Sequence, residues 1–131
     1  MDQGSVGSVH HIAFTVSDVE RSRAFYCDLL GFEEVGPLPT GVMVSKGQLV
    51  LGLRPAPEQP IPNDRFDPNR IGLDHLSFMY GNREQLEHAA TTLAERGVEC
   101  GEIIELGPFG IVVLMVRDPD NIQIELTAPM G

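Results

Sequence analysis

The chain has 131 residues, with nine Lys+Arg against nineteen Asp+Glu for a net charge of −10. That length suits one domain able to bury a core without disulfide staples. The acidic balance argues against a nucleic-acid groove, which needs a basic stripe, and against docking on anionic lipid. The longest apolar run, Ile111–Val116, is six residues, and a membrane span needs about 20.

The first residues show neither a basic nor an apolar leader region, so no secretory signal is expected and a cytoplasmic protein is the default. In chain order, the first predicted strand is His11–Val16. Ile12, Phe14 and Val16 share one face; His11, Ala13 and Thr15 share the other. The bulky face should pack on a helix and the small face should line a hollow.

A helix should start at Ser17, where Ser17-Asp18-Val19-Glu20 has capping-box form. Val19, Ser22, Tyr26, Leu29 and Leu30 follow helical spacing with Phe25 beside them, and Gly31 supplies a left-handed C-terminal residue. Strands are expected at residues 41–45 and 48–53. Residues 54–72 hold five of the ten prolines, which removes donors and fixes φ, so this stretch reads as a linker. Two roles are open for it: a plain spacer, or a lid, since its length exceeds the usual connection.

The second half restates the first. His75-Leu-Ser-Phe-Met-Tyr80 stands beside His11-Ile-Ala-Phe-Thr-Val16, with Phe78 matching Phe14 at the same 64-residue offset as the histidines. A helix should begin near Asn82, bury Leu86, Ala89, Ala90 and Leu93, and end at Gly97. Strands should follow at 111–117 and 122–127, with a weaker one near 100–105. Two units of about 50 residues are too few for a solenoid and suit a pseudo-two-fold α+β domain.

In the last strand Ile122, Ile124 and Leu126 form the apolar face, leaving Gln123, Glu125 and Thr127 on the other. If the small faces line one cavity, His11, His75 and Glu125 converge there. Two imidazoles and one carboxylate on one side of a cation form a facial triad with open positions, suited to Fe(II), Mn(II), Co(II), Ni(II) or Zn(II). An isolated strand histidine is ordinarily a hydrogen-bonded structural residue, and a lone strand Glu is ordinarily solvated. The duplicated histidine position favours the metal, and an inward carboxylate needs a cation. His10 should point to the opposite, helix-facing side, and His88 should be exposed on the second helix. The 111–116 strand has no polar side chain, so with Met43, Val50 and Met79 the pocket should favour a hydrophobic or aromatic ligand. No Gly-rich phosphate cradle follows any strand, and no nucleotide cofactor is expected. Cys27 and Cys100 lack metal-ligand spacing and an adjacent activating group, so thiol catalysis is not expected.

Three stretches carry a resemblance: His10–Phe32 (HHIAFTVSDVERSRAFYCDLLGF), Gly72–Phe78 (GLDHLSF) and Arg117–Leu126 (RDPDNIQIEL). In this order the chain resembles the vicinal oxygen chelate superfamily, which includes glyoxalase I, bleomycin-resistance proteins, fosfomycin-resistance proteins and extradiol dioxygenases. The resemblance implies two βαβββ modules forming a curved, incomplete barrel. Within a single domain spanning 1–131, module one would run about 9–56, the linker 57–71 and module two 72–129. It also implies a homodimer, and ligand positions at His11, the end of the fourth strand, His75 and Glu125. Pairing Leu53 with Leu126 places the second of these at Gly52, which has no side chain to coordinate. That departure counts against glyoxalase I chemistry and looks more like a three-ligand dioxygenase or transferase. Asn121 stands where the last hairpin usually has Gly, and Asn tolerates a left-handed turn.

Two functions follow. One is a divalent-metal-dependent enzyme, a dioxygenase or an isomerase or lyase, acting on a small hydrophobic oxygenated substrate chelated at the metal. The other is a metal-free protein that sequesters a drug or metabolite, as bleomycin-resistance proteins do.

Overall fold

The structure is a computed structural model that describes residues 4–131. The chain divides into two compact units between Pro60 and Ile61. The first carries β1 (Ile12–Val16), α1 (Val19–Ala24) continuing into a π-helical turn (Phe25–Leu29), β2 (Glu33–Pro37), β3 (Val42–Lys46) and β4 (Leu49–Pro55). The second carries β5 (Leu76–Met79), α2 (Arg83–Glu95), β6 (Cys100–Leu106), a 3-10 turn (Gly107–Phe109), β7 (Ile111–Arg117) and β8 (Gln123–Pro129). Each is a βαβββ module. The sheet orders are β1-β4-β3-β2 and β5-β8-β7-β6, with the first pair of each parallel and the rest antiparallel. Both sheets are open, so the fold class is α+β with two unclosed four-stranded mixed sheets. No described helix is long and apolar enough to cross a membrane.

The alternation read from sequence sets both cores. In the first unit Phe14 and Val16 are buried while Ala13 and Thr15 are exposed. Phe14 meets the Tyr26 ring, whose other neighbours are Phe25 and Phe32. In the second, Val112, Leu114 and Val116 of β7 and Ile124 and Leu126 of β8 are buried with Leu86, Ala89 and Leu93 of α2. Arg83 ties α2 to the neighbouring strand through Glu105.

The second helix starts as its sequence indicates. Asn82 caps it, accepting from the Gln85 amide at 2.9 Å while the Gln85 side chain accepts from the Asn82 amide at 3.0 Å. The first helix does not. Its N-cap is Asp18, which accepts from the Arg21 amide at 3.1 Å, so the helix begins one residue later than a Ser17 cap requires. Glu20, freed from any cap, pairs with Arg23 at 2.6 Å and lies below its usual range through that bond. Gly31 and Gly97 end the two helical segments with φ of 81° and 77°, as left-handed residues do.

Three further departures have physical causes. Strand β2 has no signature because Glu33-Glu-Val-Gly-Pro37 is an exposed edge, bulged between Glu34 and Gly36. Charge, proline and a bulge are how sheet edges avoid further pairing, and they erase apolar alternation. Strand β4 includes Arg54 and Pro55, because the Ala56 amide, not Pro55, donates to the Val16 carbonyl. His11 and His75 each stand one residue before their strand.

Ser22 lies on the buried face of α1, and its Oγ has no hydrogen-bond partner among the described residues. A buried hydroxyl without a partner is a net cost. Ser22→Ala removes it and adds helix propensity, so stability should rise by about 1 kcal/mol, read as a higher urea midpoint at unchanged slope.

Candidate metal centre

The second unit brings two of the three expected ligands together. Register pairs Ser77 with Glu125 and Leu76 with Ile124, so His75 comes level with the start of β8. His75 Nε2 stands 3.3 Å from Glu125 Oε1. The Glu125 side chain is 15% exposed and that of His75 is 37% exposed. His75 Nδ1 is 2.7 Å from Asp74 Oδ1. An ionised carboxylate only accepts, so Nδ1 carries a proton, and Nε2 is the nitrogen turned to Glu125.

Gln123, buried two residues before Glu125, donates through Nε2 to the Asp74 carbonyl at 3.0 Å and to Asp74 Oδ1 at 2.9 Å. Neither partner was signalled by motif. Alternation does put Gln123 on the Glu125 face, but Asp74 precedes its strand, and only the parallel pairing of β5 with β8 joins them. On the same face of the sheet, Met115 pairs with Glu125 and Val113 with Thr127. Ser77 and Thr127 share a hydroxyl hydrogen bond of 2.5 Å, and Met79 is 93% exposed. Around Glu125 this face thus carries Met115, Val113 and Met79 together with the Ser77 and Thr127 hydroxyls.

In the first unit the equivalent positions differ. Ala13 pairs with Gly52 as Ser77 pairs with Glu125, so Gly52 is the counterpart of Glu125 by register. The nearest atoms to a Cβ there belong to Ala13 and Leu38, at 3.7–3.9 Å. His11 stands beside His10, their Nδ1 atoms 2.9 Å apart and their rings edge to face. His10 is exposed rather than packed toward the helix, because the chain before Ile12 is not yet strand and alternation does not apply. His88 is exposed on α2. Among the described residues, no group of three or more His, Cys, Asp or Glu stands at metal-holding spacing.

The pair in the second unit fits a divalent cation. Donors about 2.1 Å from one ion and about 90–110° apart stand about 3.0–3.4 Å from each other, and 3.3 Å lies in that interval. A metal-bound imidazole commonly donates its other N–H to a carboxylate, as His75 does to Asp74. Burial pushes both Cys27 and Cys100 up, with Glu99 adding to the effect at Cys100, which keeps them protonated and unreactive.

The Asn121 hairpin closes the site end of the sheet. Asn121 has φ 67°, as its side chain permits. Asp118 Oδ1 accepts from the amides of Asp120 and Ile122, each at 2.8 Å. Asn121 Nδ2 donates to the Phe66 carbonyl at 2.9 Å, and the Phe66 amide donates to the Asp120 carbonyl at 3.0 Å. The proline-rich stretch is thus strapped to the β7–β8 hairpin ahead of Asp74 and His75.

Two βαβββ modules, each an open four-stranded mixed sheet with a helix, define the class of fold. The profile of the Glyoxalase/Bleomycin resistance protein/Dioxygenase superfamily matches residues 8–126, and the chain belongs to that superfamily. It is 36% identical over 128 residues to the uncharacterized protein YwkD of Bacillus subtilis, covering 91% of this chain and 94% of that one. It is 33% identical over 126 residues to the uncharacterized protein YaeR of Escherichia coli, with 90% and 93% covered. Among solved structures it resembles a glyoxylase/bleomycin resistance protein/dioxygenase domain from Frankia, at TM-score 0.78 and 31% identity over 95% of this chain and 93% of that one.

Proposed function

We propose that the chain is a metal-dependent enzyme holding one divalent cation through His11, His75 and Glu125. Its substrate is a small, largely hydrophobic oxygenated organic molecule that chelates the cation, and the protein works as a cytoplasmic homodimer. The observation that carries this reading is the 3.3 Å approach of Nε2 to Oε1 with Nδ1 already committed to Asp74. With Nδ1–H held by Asp74, Nε2 and Oε1 are the two atoms left to share a cation.

Bound there, a divalent cation supplies Lewis acidity toward substrate oxygens. His75 and Glu125 hold it from the sheet, and Val113, Met115 and Met79 offer the apolar wall for the substrate carbon skeleton. Gly52 leaves the fourth position without a side chain. The proton-moving role that glyoxalase I gives a residue there has no group to perform it here. Three ligands with open positions favour dioxygenation, or an isomerase or lyase reaction whose base lies elsewhere.

The test is metal content after anaerobic loading with Fe(II), Mn(II) or Zn(II). One ion per chain is expected in the wild type, with loss in His75→Ala and in His11→Ala. Full metal content in His75→Ala would overturn the reading. Tight aromatic-ligand binding that survives EDTA would mark a metal-free sequestering protein instead.

A further inference from the structure

The hydrogen bonds behind His75 reach further than one carboxylate. Gln123 Nε2 bonds both the carbonyl and Oδ1 of Asp74, and the same Oδ1 accepts from His75 Nδ1. The orientation of the Gln123 amide follows from chemistry. Both Asp74 atoms are acceptors, so the NH2 end must face them. Gln123 is 8% exposed and belongs to the same strand face as Glu125. Asp74 is 68% exposed, so without Gln123 nothing rigid would hold its carboxylate against the imidazole. One strand therefore supplies Glu125 directly and, two residues earlier, the anchor that sets the opposing histidine.

We infer that Asp74 and Gln123 are positioning residues: they fix the Nδ1–H tautomer of His75 and aim its Nε2 lone pair at the ion shared with Glu125. The inference rests on the metal-centre reading for its purpose, but not for its geometry. Which imidazole nitrogen is free is set by the hydrogen bond the other one makes, and that bond exists with or without metal. A merely structural role for Asp74 would move stability and leave the tautomer alone.

The test reads imidazole nitrogen shifts by NMR on the metal-free protein at alkaline pH, with the His75 signals identified by their loss in His75→Gln. The wild type should be mainly Nδ1–H. Asp74→Ala should swing His75 to the Nε2–H form that free imidazoles prefer in water, and should weaken Zn(II) binding about 10–100-fold. Asp74→Asn keeps an oxygen acceptor and should restore the Nδ1–H form. Gln123→Leu leaves the carboxylate but frees it, and should give a mixture of both forms. Asp74 is exposed, so its variants should fold, and circular dichroism checks this.

Nδ1–H persisting in both Asp74→Ala and Gln123→Leu would overturn the inference. A tautomer swing in Asp74→Ala, with no Zn(II) uptake by the wild type, would support the positioning role and overturn the metal-centre reading alone.

Discussion

Glu125→Gln should make the metal-free protein more stable and the metal-loaded protein less stable. In the wild type without metal, the Glu125 carboxylate faces His75 Nε2 at 3.3 Å, with 15% of its side chain exposed, and Nε2 of a neutral Nδ1–H imidazole is a lone pair. Two acceptors in that position repel, and neither is well solvated. A glutamine of the same shape turns an N–H toward Nε2 and makes a hydrogen bond, contributing about 1 kcal/mol. At alkaline pH this should raise the melting temperature in EDTA by about 4 °C.

With metal the order should reverse. An amide is a weaker ligand than a carboxylate, and affinity should fall at least about 100-fold, or ~2.7 kcal/mol. The wild type gains about 2.7 kcal/mol at a metal concentration 100 times its Kd, and the variant gains almost none of it. Scanning calorimetry of both proteins, with EDTA and with Zn(II), gives four melting temperatures whose order decides the matter. If Glu125→Gln is the less stable protein in EDTA as well, a proton rather than a metal bridges the pair. Breaking that ion pair then leaves a charge uncompensated, and the site is a structural salt bridge.

The parts of this architecture legible in the sequence are those written in local alternation and capping. The Asn82 cap, the Leu86, Ala89 and Leu93 stripe and the Gly31 and Gly97 stops depend only on neighbours in the chain and stand where those neighbours indicate, while Ala90 at the stripe's margin is only half-buried. The repeat was legible because register is duplicated: Phe14 opposite Leu53 is restated by Phe78 opposite Leu126. What stayed hidden depends on partners distant in sequence or on the absence of a partner. Strand β2 exists because β3 pairs with it, not because Glu33–Pro37 favours extension. The cap on α1 went to Asp18 over Ser17, although both are good caps, and a one-residue shift decides the rest of the first turn. His10 and His11 precede β1, so strand alternation does not set where His10 points. The Gln123–Asp74–His75 chain joins residues 49 and one apart, and no local pattern encodes it.

Tyr26→Ala should be among the most damaging single changes in the first unit, lowering stability by about 3–5 kcal/mol. Tyr26 is fully buried. Its ring stands edge to face with Phe25 at 5.0 Å and with Phe32 at 6.0 Å, and is tilted against Phe14 at 5.9 Å. The π-helical turn at Phe25–Leu29 lets consecutive residues Phe25 and Tyr26 both point inward. Truncating the ring removes contacts to three aromatic neighbours at once, including the one on β1. The backbone cannot collapse to refill the space, because Phe32 N–H bonds the Tyr26 carbonyl at 2.9 Å and holds the turn to the residue after Gly31. Aromatic pairs add about 0.5–1.5 kcal/mol beyond area burial, so the loss should lie in the upper part of the stated interval. A whole domain is stable by only about 5–15 kcal/mol, so the variant should be partly unfolded at 37 °C, with a urea midpoint shifted far below the wild type. Tyr26→Leu refills part of the volume and should recover about half of the loss. A Tyr26→Ala shift below about 1 kcal/mol would mean that the aromatic cluster around β1 and α1 contributes little to this core.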